Sequence, residues 1–295
     1  MMRPGPTTQA TETSSPHRMR HGHSQIRAAV TTVCSSVPAG SIRHPWVSTT
    51  SMWPPPPHAA VAVTNVTDYC VDEVSDHAVG FILDWTRGIT VFDRDVTAGS
   101  WNPAGAQLKR LRDRTIGIVG LGRIGRATAS KLAAFGCQIL VHTTTPDGTA
   151  GVEFVSLQKL LFSSDVVVLH APLSSRTHHL IDAQHLSFMR SDALLVNVSR
   201  GGLIDTEALV AALKAGHLAG VALDVLDEKP DVDPYVCSHP RVVITPHVAF
   251  SSDASVTELR TKAAEDVVRA LAGQPPHYPC NTTSLTHPTT LEEAR

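Results

Sequence analysis

Three polar side chains each close a short apolar run. Arg200 stands in Asn197-Val198-Ser199-Arg200-Gly201-Gly202, Asp224 follows Gly220 to Leu223, and His247 ends Thr245-Pro246-His247. Arginine presents a planar fork that suits an oxyanion, and histidine exchanges a proton near neutral pH. Taken singly, each has an ordinary reading: a surface ion pair for Arg200, a helix cap for Asp224, a hydrogen-bonded loop residue for His247. Their shared placement at three adjacent strand ends favours a site instead. Ligands of open α/β sheets bind in the crevice beyond the carboxyl ends of the strands.

A second set of residues points to what the crevice holds. Gly120-Leu121-Gly122-Arg123-Ile124-Gly125 follows the apolar run Thr115 to Val119 and opens a helical pattern, Arg123 to Phe135. Strand, G-x-G-x-x-G, then helix is the fingerprint of a dinucleotide pyrophosphate site. Gly120 permits the tight turn, Gly122 lets backbone approach phosphate, and Gly125 lets helix and strand pack closely. The phosphates then meet the unpaired N–H groups and the dipole of the helix N-terminus.

The elements that must position these residues are legible from Val61 onward. Apolar runs at Thr115–Val119, Gln138–Val141, Val166–Leu169, Ala193–Asn197, Gly220–Asp224 and Val242–Thr245 alternate with helical patterns. The helices are Arg123–Phe135, around Ser156–Leu161, near Ala183–Met189, and Thr206–Ala215. Short, nearly all-apolar strands alternating with helices imply an α/β fold, a doubly wound parallel sheet covered on both faces. A helix over Asp72–Thr86 precedes it, with Gly88 as its stop, and a polar loop containing Trp101 and Pro103 follows. A long helix over Asp253–Ala272 ends at Gly273, Pro275 and Pro276. The expected organisation is a dinucleotide-binding domain over 61–252, a returning C-terminal helix over 253–281 and a disordered tail over 282–295.

Bulk properties narrow the class. With 42% hydrophobic residues and a formal net charge of −2, the 295-residue chain reads as a globular protein with no electrostatic case for nucleic acid or membrane as a partner. No run is long enough to span a bilayer, and no secretory signal is evident. The five cysteines are scattered and without a C-x-x-C pair, as expected of reduced thiols in the cytoplasm. Residues 1–60 differ in composition: nine of the chain's 20 prolines, five arginines and one acid, Glu12. They read as disordered. His17, His21 and His23 lie there without cysteine or carboxylate partners, so no metal centre is expected.

Val119–Phe135, Leu169-His170-Ala171-Pro172-Leu173 with Thr177, Asn197–Asp205, Ala222–Val225 and Thr245–His247 resemble the D-isomer-specific 2-hydroxyacid dehydrogenases. Asn65–His77 and Pro246–Asn281 are most similar to the phosphoglycerate-dehydrogenase-like and C-terminal-binding-protein-like branch. The resemblance implies a Rossmann domain beside a substrate domain, hydride transfer between NAD(P) and a small 2-hydroxy or 2-keto acid, and a homodimer. It implies that Arg200 binds the substrate carboxylate and that His247 is the acid–base group. Asp224 would place the nicotinamide amide. Gly120, Gly122, Arg123, Ile124 and Gly125 would line the pyrophosphate, and Pro172, Thr177, Val198 and Ser199 would flank the cofactor, with Arg200 and His247 also against it. The corepressor-like branch supplies the alternative, a weakly active or inactive NAD(H)-sensing binding protein.

Three departures from the family pattern qualify that expectation. The glutamate that usually partners the histidine falls at Lys229, within Asp227-Glu228-Lys229-Pro230, so Glu228 or Asp227 would have to replace it. The second strand ends in Thr143, followed by Thr144 and Thr145, rather than in an acid on the ribose hydroxyls, so NADP is expected to be tolerated beside NAD. No arginine is seen in this stretch to attract a 2′-phosphate. Finally, the family's carboxylate-binding loop, Gly-x-Gly-Val-Asp-Asn-Val-Asp, is absent before Val61. Shifted by two nucleotides, with one permissible GC-rich codon choice, Trp46–Ala60 reads Gly-Val-Asp-Asn-Val-Asp and continues into alanines. The expectation is that residues 1–60 are an out-of-frame remnant of the substrate domain. Sequencing of the coding DNA across residues 1–61 tests this; codons that cannot yield the shifted string contradict it.

Overall fold

A computed structural model describes residues 64–105, 108–227 and 233–280. The expectations for residues 1–60, Glu228, Lys229 and the tail after 280 lie outside the described residues. The helices are α1 (Val71–Arg87), α2 (Ile89–Thr97), α3 (Arg123–Ala134), α4 (Leu157–Ser163), α5 (Ala183–Phe188), α6 (Thr206–Lys214), α7 (Pro234–Ser238) and α8 (Asp253–Leu271). The strands are β1 (Thr115–Val119), β2 (Gln138–His142), β3 (Glu153–Phe154), β4 (Val166–Leu169), β5 (Leu194–Asn197), β6 (Gly220–Leu223) and β7 (Val242–Ile244).

The strands form one sheet in the order β3-β2-β1-β4-β5-β6-β7, with every pairing parallel. The order reverses at β1, so the crevice between the ends of β1 and β4 is the topological switch point. Alternate side chains serve opposite faces, as the period of two requires. Ile116, Ile118, Val166, Val168, Leu194 and Val196 join one core with residues of α1 and α3. Val119, Val167, Leu169 and Leu195 join the other with residues of α4, α5 and α6.

Two compact units divide the chain. The sheet and its covering helices lie in Thr67–Arg260; the other unit comprises Met1–Val66 and Thr261–Arg295. Within the described part of the latter, the Asn65 N–H donates to the Tyr278 carbonyl at 3.0 Å, and the Asp266 carboxylate accepts from the His277 N–H at 2.7 Å.

Three elements were not expected: β3, α2 and the five-residue α7. β3 is only two residues long, too short to leave a periodic signal. α2 starts directly after Gly88, whose left-handed φ of 65° ends α1 and at the same time redirects the chain. α2 buries none of its residues.

Candidate active site

The parallel register brings the strand ends to one line. Val119 pairs with His142 and with Leu169, Leu169 with Asn197, Asn197 with Leu223, and Leu223 with Ile244. The residues that follow, Thr143, Gly120, His170, Val198, Asp224 and Thr245, therefore leave the sheet along the same edge. Most of the residues singled out from the sequence lie on or just beyond that edge.

At the switch point the glycines do what their spacing requires. Gly120 has φ of 97°, and a Cβ there would meet the Ala171 N–H nitrogen at 2.7 Å. A Cβ on Gly125 would overlap the Gly120 carbonyl oxygen, so α3 and the turn can approach only because it is missing. Gly122 is different: a Cβ on it would enter open space, and as the N-cap of α3 it makes no side-chain hydrogen bond. Open backbone beside uncapped N–H groups fits a pyrophosphate. Arg123 donates to the Thr67 hydroxyl at 3.1 Å.

His170 adds a polar atom to this corner. Its backbone N–H continues the β1–β4 ladder to the Val119 carbonyl at 2.8 Å, and its buried Nε2 has no hydrogen-bond partner among the described residues. Burial without a compensating charge lowers its pKa from 6.5 to about 4. The ring is therefore neutral at physiological pH.

The next loops are tied to one another. Thr177 Oγ1 donates to the Pro172 carbonyl at 2.6 Å, Ser199 Oγ to the Ala171 carbonyl at 2.6 Å, and Asn197 Nδ2 to the Arg200 carbonyl at 2.9 Å. Val198 is buried. These bonds hold the backbone that presents Arg200. Its guanidinium donates to the Ser199 carbonyl at 2.6 Å and meets no carboxylate among the described residues. Burial pushes its pKa down, opposed by Tyr69 and Cys70. The same burial raises the Tyr69 hydroxyl and lifts the Cys70 thiol to about 11, so both neighbours are neutral.

Asp224 is 1% exposed. Its carboxylate accepts from the Thr245 hydroxyl at 2.5 Å and from the Val248 and Ala249 N–H groups at 2.8 and 3.0 Å. These three donors bracket His247. The His247 N–H reaches back to the Thr245 carbonyl at 2.9 Å, a three-residue turn around Pro246, and His247 has φ of 57°. The carboxylate expected to face the nicotinamide is thus engaged first with the turn that carries His247. The His247 ring stands edge-on to Phe250, with centroids 6.4 Å apart.

At the end of β2 the fold adds a residue that the sequence reading did not single out. Thr143 Oγ1 accepts from the Thr145 N–H at 3.4 Å, but Arg126 reaches this loop from α3, donating to Asp147 and to the Thr149 hydroxyl. The loop carries both a cation and an anion. Arg126 escaped notice because it precedes the loop by some twenty residues and meets it only through the fold. Among the described residues one group offers several metal-type ligands, His178, His179 and Asp227, with donor atoms within 4.8 Å of one another. The two rings stack on each other at 3.9 Å, and His179 Nε2 lies 3.5 Å from Asp227. Asp227, considered as a substitute partner for His247, is thereby engaged with His179.

Comparison with known proteins agrees with this geometry. Residues 79–249 match the D-isomer specific 2-hydroxyacid dehydrogenase, NAD binding domain. The glyoxylate reductase of Thermofilum pendens is 38% identical over 234 residues, 73% of this chain and 67% of that protein. The glycerate dehydrogenase of Methylorubrum extorquens is 32% identical over 225 residues, covering 73% and 70%. Among solved structures, D-lactate dehydrogenase with NAD+ from Lactobacillus jensenii superposes with a TM-score of 0.69 at 27% identity, covering 75% of this chain and 72% of that one.

The neutral His170 makes a testable contribution to stability. Its folded pKa lies below the unfolded value, so the unfolded chain binds more protons between pH 6.5 and 4. Stability is expected to fall as pH drops through that window, by on the order of 3 kcal/mol in full. Urea unfolding of wild type and His170→Asn at several pH values checks this; the variant should lack that part of the acid loss.

Proposed function

The chain belongs to the D-isomer specific 2-hydroxyacid dehydrogenase family, and from that premise we propose that it interconverts a small 2-keto acid and its 2-hydroxy acid with NAD. The observation that carries the reading is Arg200: a half-buried cation that meets one backbone carbonyl and no carboxylate among the described residues. A cation held partly out of water without a counter-charge favours an anionic ligand. The substrate carboxylate supplies it, and the remaining N–H donors of the fork orient the 2-oxo group.

Bound NAD supplies the hydride donor or acceptor. The chain's part is to place and protonate. The α3 N-terminus with Gly120, Gly122, Arg123, Ile124 and Gly125 holds the pyrophosphate, and Pro172, Thr177, Val198 and Ser199 flank the nicotinamide half. In reduction, protonated His247 gives a proton to the C2 oxygen as C2 gains hydride. In oxidation, neutral His247 takes the hydroxyl proton as hydride leaves C2. Asp224 fixes the turn from which His247 works. The relatives, named for reductase and dehydrogenase activities, give no support to the alternative of a sensing protein without turnover.

Self-association is part of the proposal. α2 and the segment after it leave Ile89 59%, Val96 48% and Trp101 86% exposed. Apolar side chains clustered on one short stretch suit burial against a second copy. We also place the protein in the cytoplasm, as its unpaired cysteines Cys70, Cys137, Cys237 and Cys280 suggest. No helix of the described residues is long and apolar enough to cross a membrane.

Arg200→Ala and His247→Asn are each expected to lower kcat/KM for NADH-dependent glyoxylate reduction by about 100-fold or more. NADH affinity without turnover in the wild-type chain would instead mark a binding protein. Light scattering should find wild type at twice the chain mass and Trp101→Glu shifted towards the monomer; a monomeric wild type contradicts self-association.

A further inference from the structure

His77 is not among the residues assigned to the reaction, yet it touches the support of His247. It lies on α1, and its Nε2 stands 3.0 Å from Thr245 Oγ1 and 3.9 Å from Asp224 Oδ1. Its ring is held edge-on to Phe81, with centroids 4.6 Å apart.

The proton inventory fixes the direction of this contact. The Thr245 hydroxyl has one proton, and the 2.5 Å bond to Asp224 takes it. The hydroxyl oxygen can then only accept from His77, so Nε2 carries the hydrogen and Nδ1 is the bare nitrogen of the neutral ring. The result is an ordered chain: His77 N–H to Thr245 O–H to the Asp224 carboxylate. Each donor in such a chain polarises the next and strengthens it. Asp224 in turn grips the Val248 and Ala249 N–H groups, closing a turn in which His247 adopts a left-handed conformation.

α1 also reaches the helix of the dinucleotide turn. Lys131 of α3 donates to Ser75 Oγ at 2.7 Å and pairs with Asp76 at 2.7 Å, both within one helical turn of His77. One helix is therefore bonded to both halves of the crevice: to α3 through Ser75 and Asp76, and to the His247 turn through His77.

We propose that His77 is a positioning residue, the hydrogen-bond donor that orients Thr245 towards Asp224 and so holds His247 in register with the cofactor helix. The proposal rests on the reading of His247 as the proton carrier. It requires a donor at position 77, not a charge, and assigns His77 no contact with substrate.

The test is steady-state glyoxylate reduction and NADH fluorescence titration on the full chain, for wild type, His77→Ala, His77→Gln and His247→Asn. Losing this part-buried hydrogen bond in the support is expected to lower kcat about five- to tenfold in His77→Ala, with KM and NADH affinity within twofold of wild type. His77→Gln, which keeps an N–H donor, is expected to recover most of kcat. An unchanged kcat in His77→Ala overturns the proposal. So does a loss that NADH affinity shares in proportion, or one that His77→Gln leaves unrepaired, since either marks a merely structural role. Wild-type turnover in His247→Asn overturns the functional reading and this inference with it. Loss of turnover in His247→Asn beside an unchanged His77→Ala overturns the inference alone.

Discussion

Parallel strands in register must all end on the same side. In this sheet the constraint is tight enough that Val119, His142, Leu169, Asn197, Leu223 and Ile244 form one row across six strands. Each loop that leaves the row begins within one strand spacing, about 4.8 Å, of its neighbours. Residues far apart in sequence are thus gathered without any contact between their side chains being needed. The same register sends alternate side chains to the two cores, so a one-residue slip would disturb the cores and the row together. The position of the site and the stability of the sheet have one cause.

Two charges beyond that row, one buried and one half-buried, are treated in opposite ways. Asp224 is met by three donors, all from the segment that carries His247. Its desolvation is compensated within the chain, and the compensation itself shapes a strained turn. Arg200 is met by one carbonyl. Its backbone is fixed by Asn197 and Ser199, but its guanidinium keeps donors in hand. A satisfied anion that organises and an under-satisfied cation that receives are the complementary halves on which the proposed site for a carboxylate-bearing substrate rests. Tyr69 and Cys70, which burial keeps neutral, leave that positive charge in place.

Local signals were legible and long-range ones were not. The runs Thr115–Val119, Val166–Leu169 and Leu194–Asn197 are nearly all apolar because both faces are buried, and their position in the sequence therefore marks the strands. Gly120, Gly122 and Gly125 report their mechanics through spacing alone. By contrast, β3 has two residues, and α2 hides behind a glycine that reads as a stop. The bonds from Asp224 span 21 to 25 residues and that of His77 spans 168, so no periodicity records them. Arg126 shows the same limit: its partners in the loop after β2 are invisible until the helix is folded against the sheet. The acid expected to partner His247 sits beyond the described residues, at Glu228, and Asp227 is occupied by His179.

The central claim is that bound NADH, seated at the row of strand ends, would give hydride to C2 of a keto acid that Arg200 holds and His247 protonates. The most direct measurement is label transfer: incubate the full chain with NADH deuterated at C4 and pyruvate, then examine the lactate. Deuterium at C2 of the D-enantiomer is the predicted result. Bound NADH with no label in lactate, and none in glycolate when glyoxylate replaces pyruvate, would contradict it.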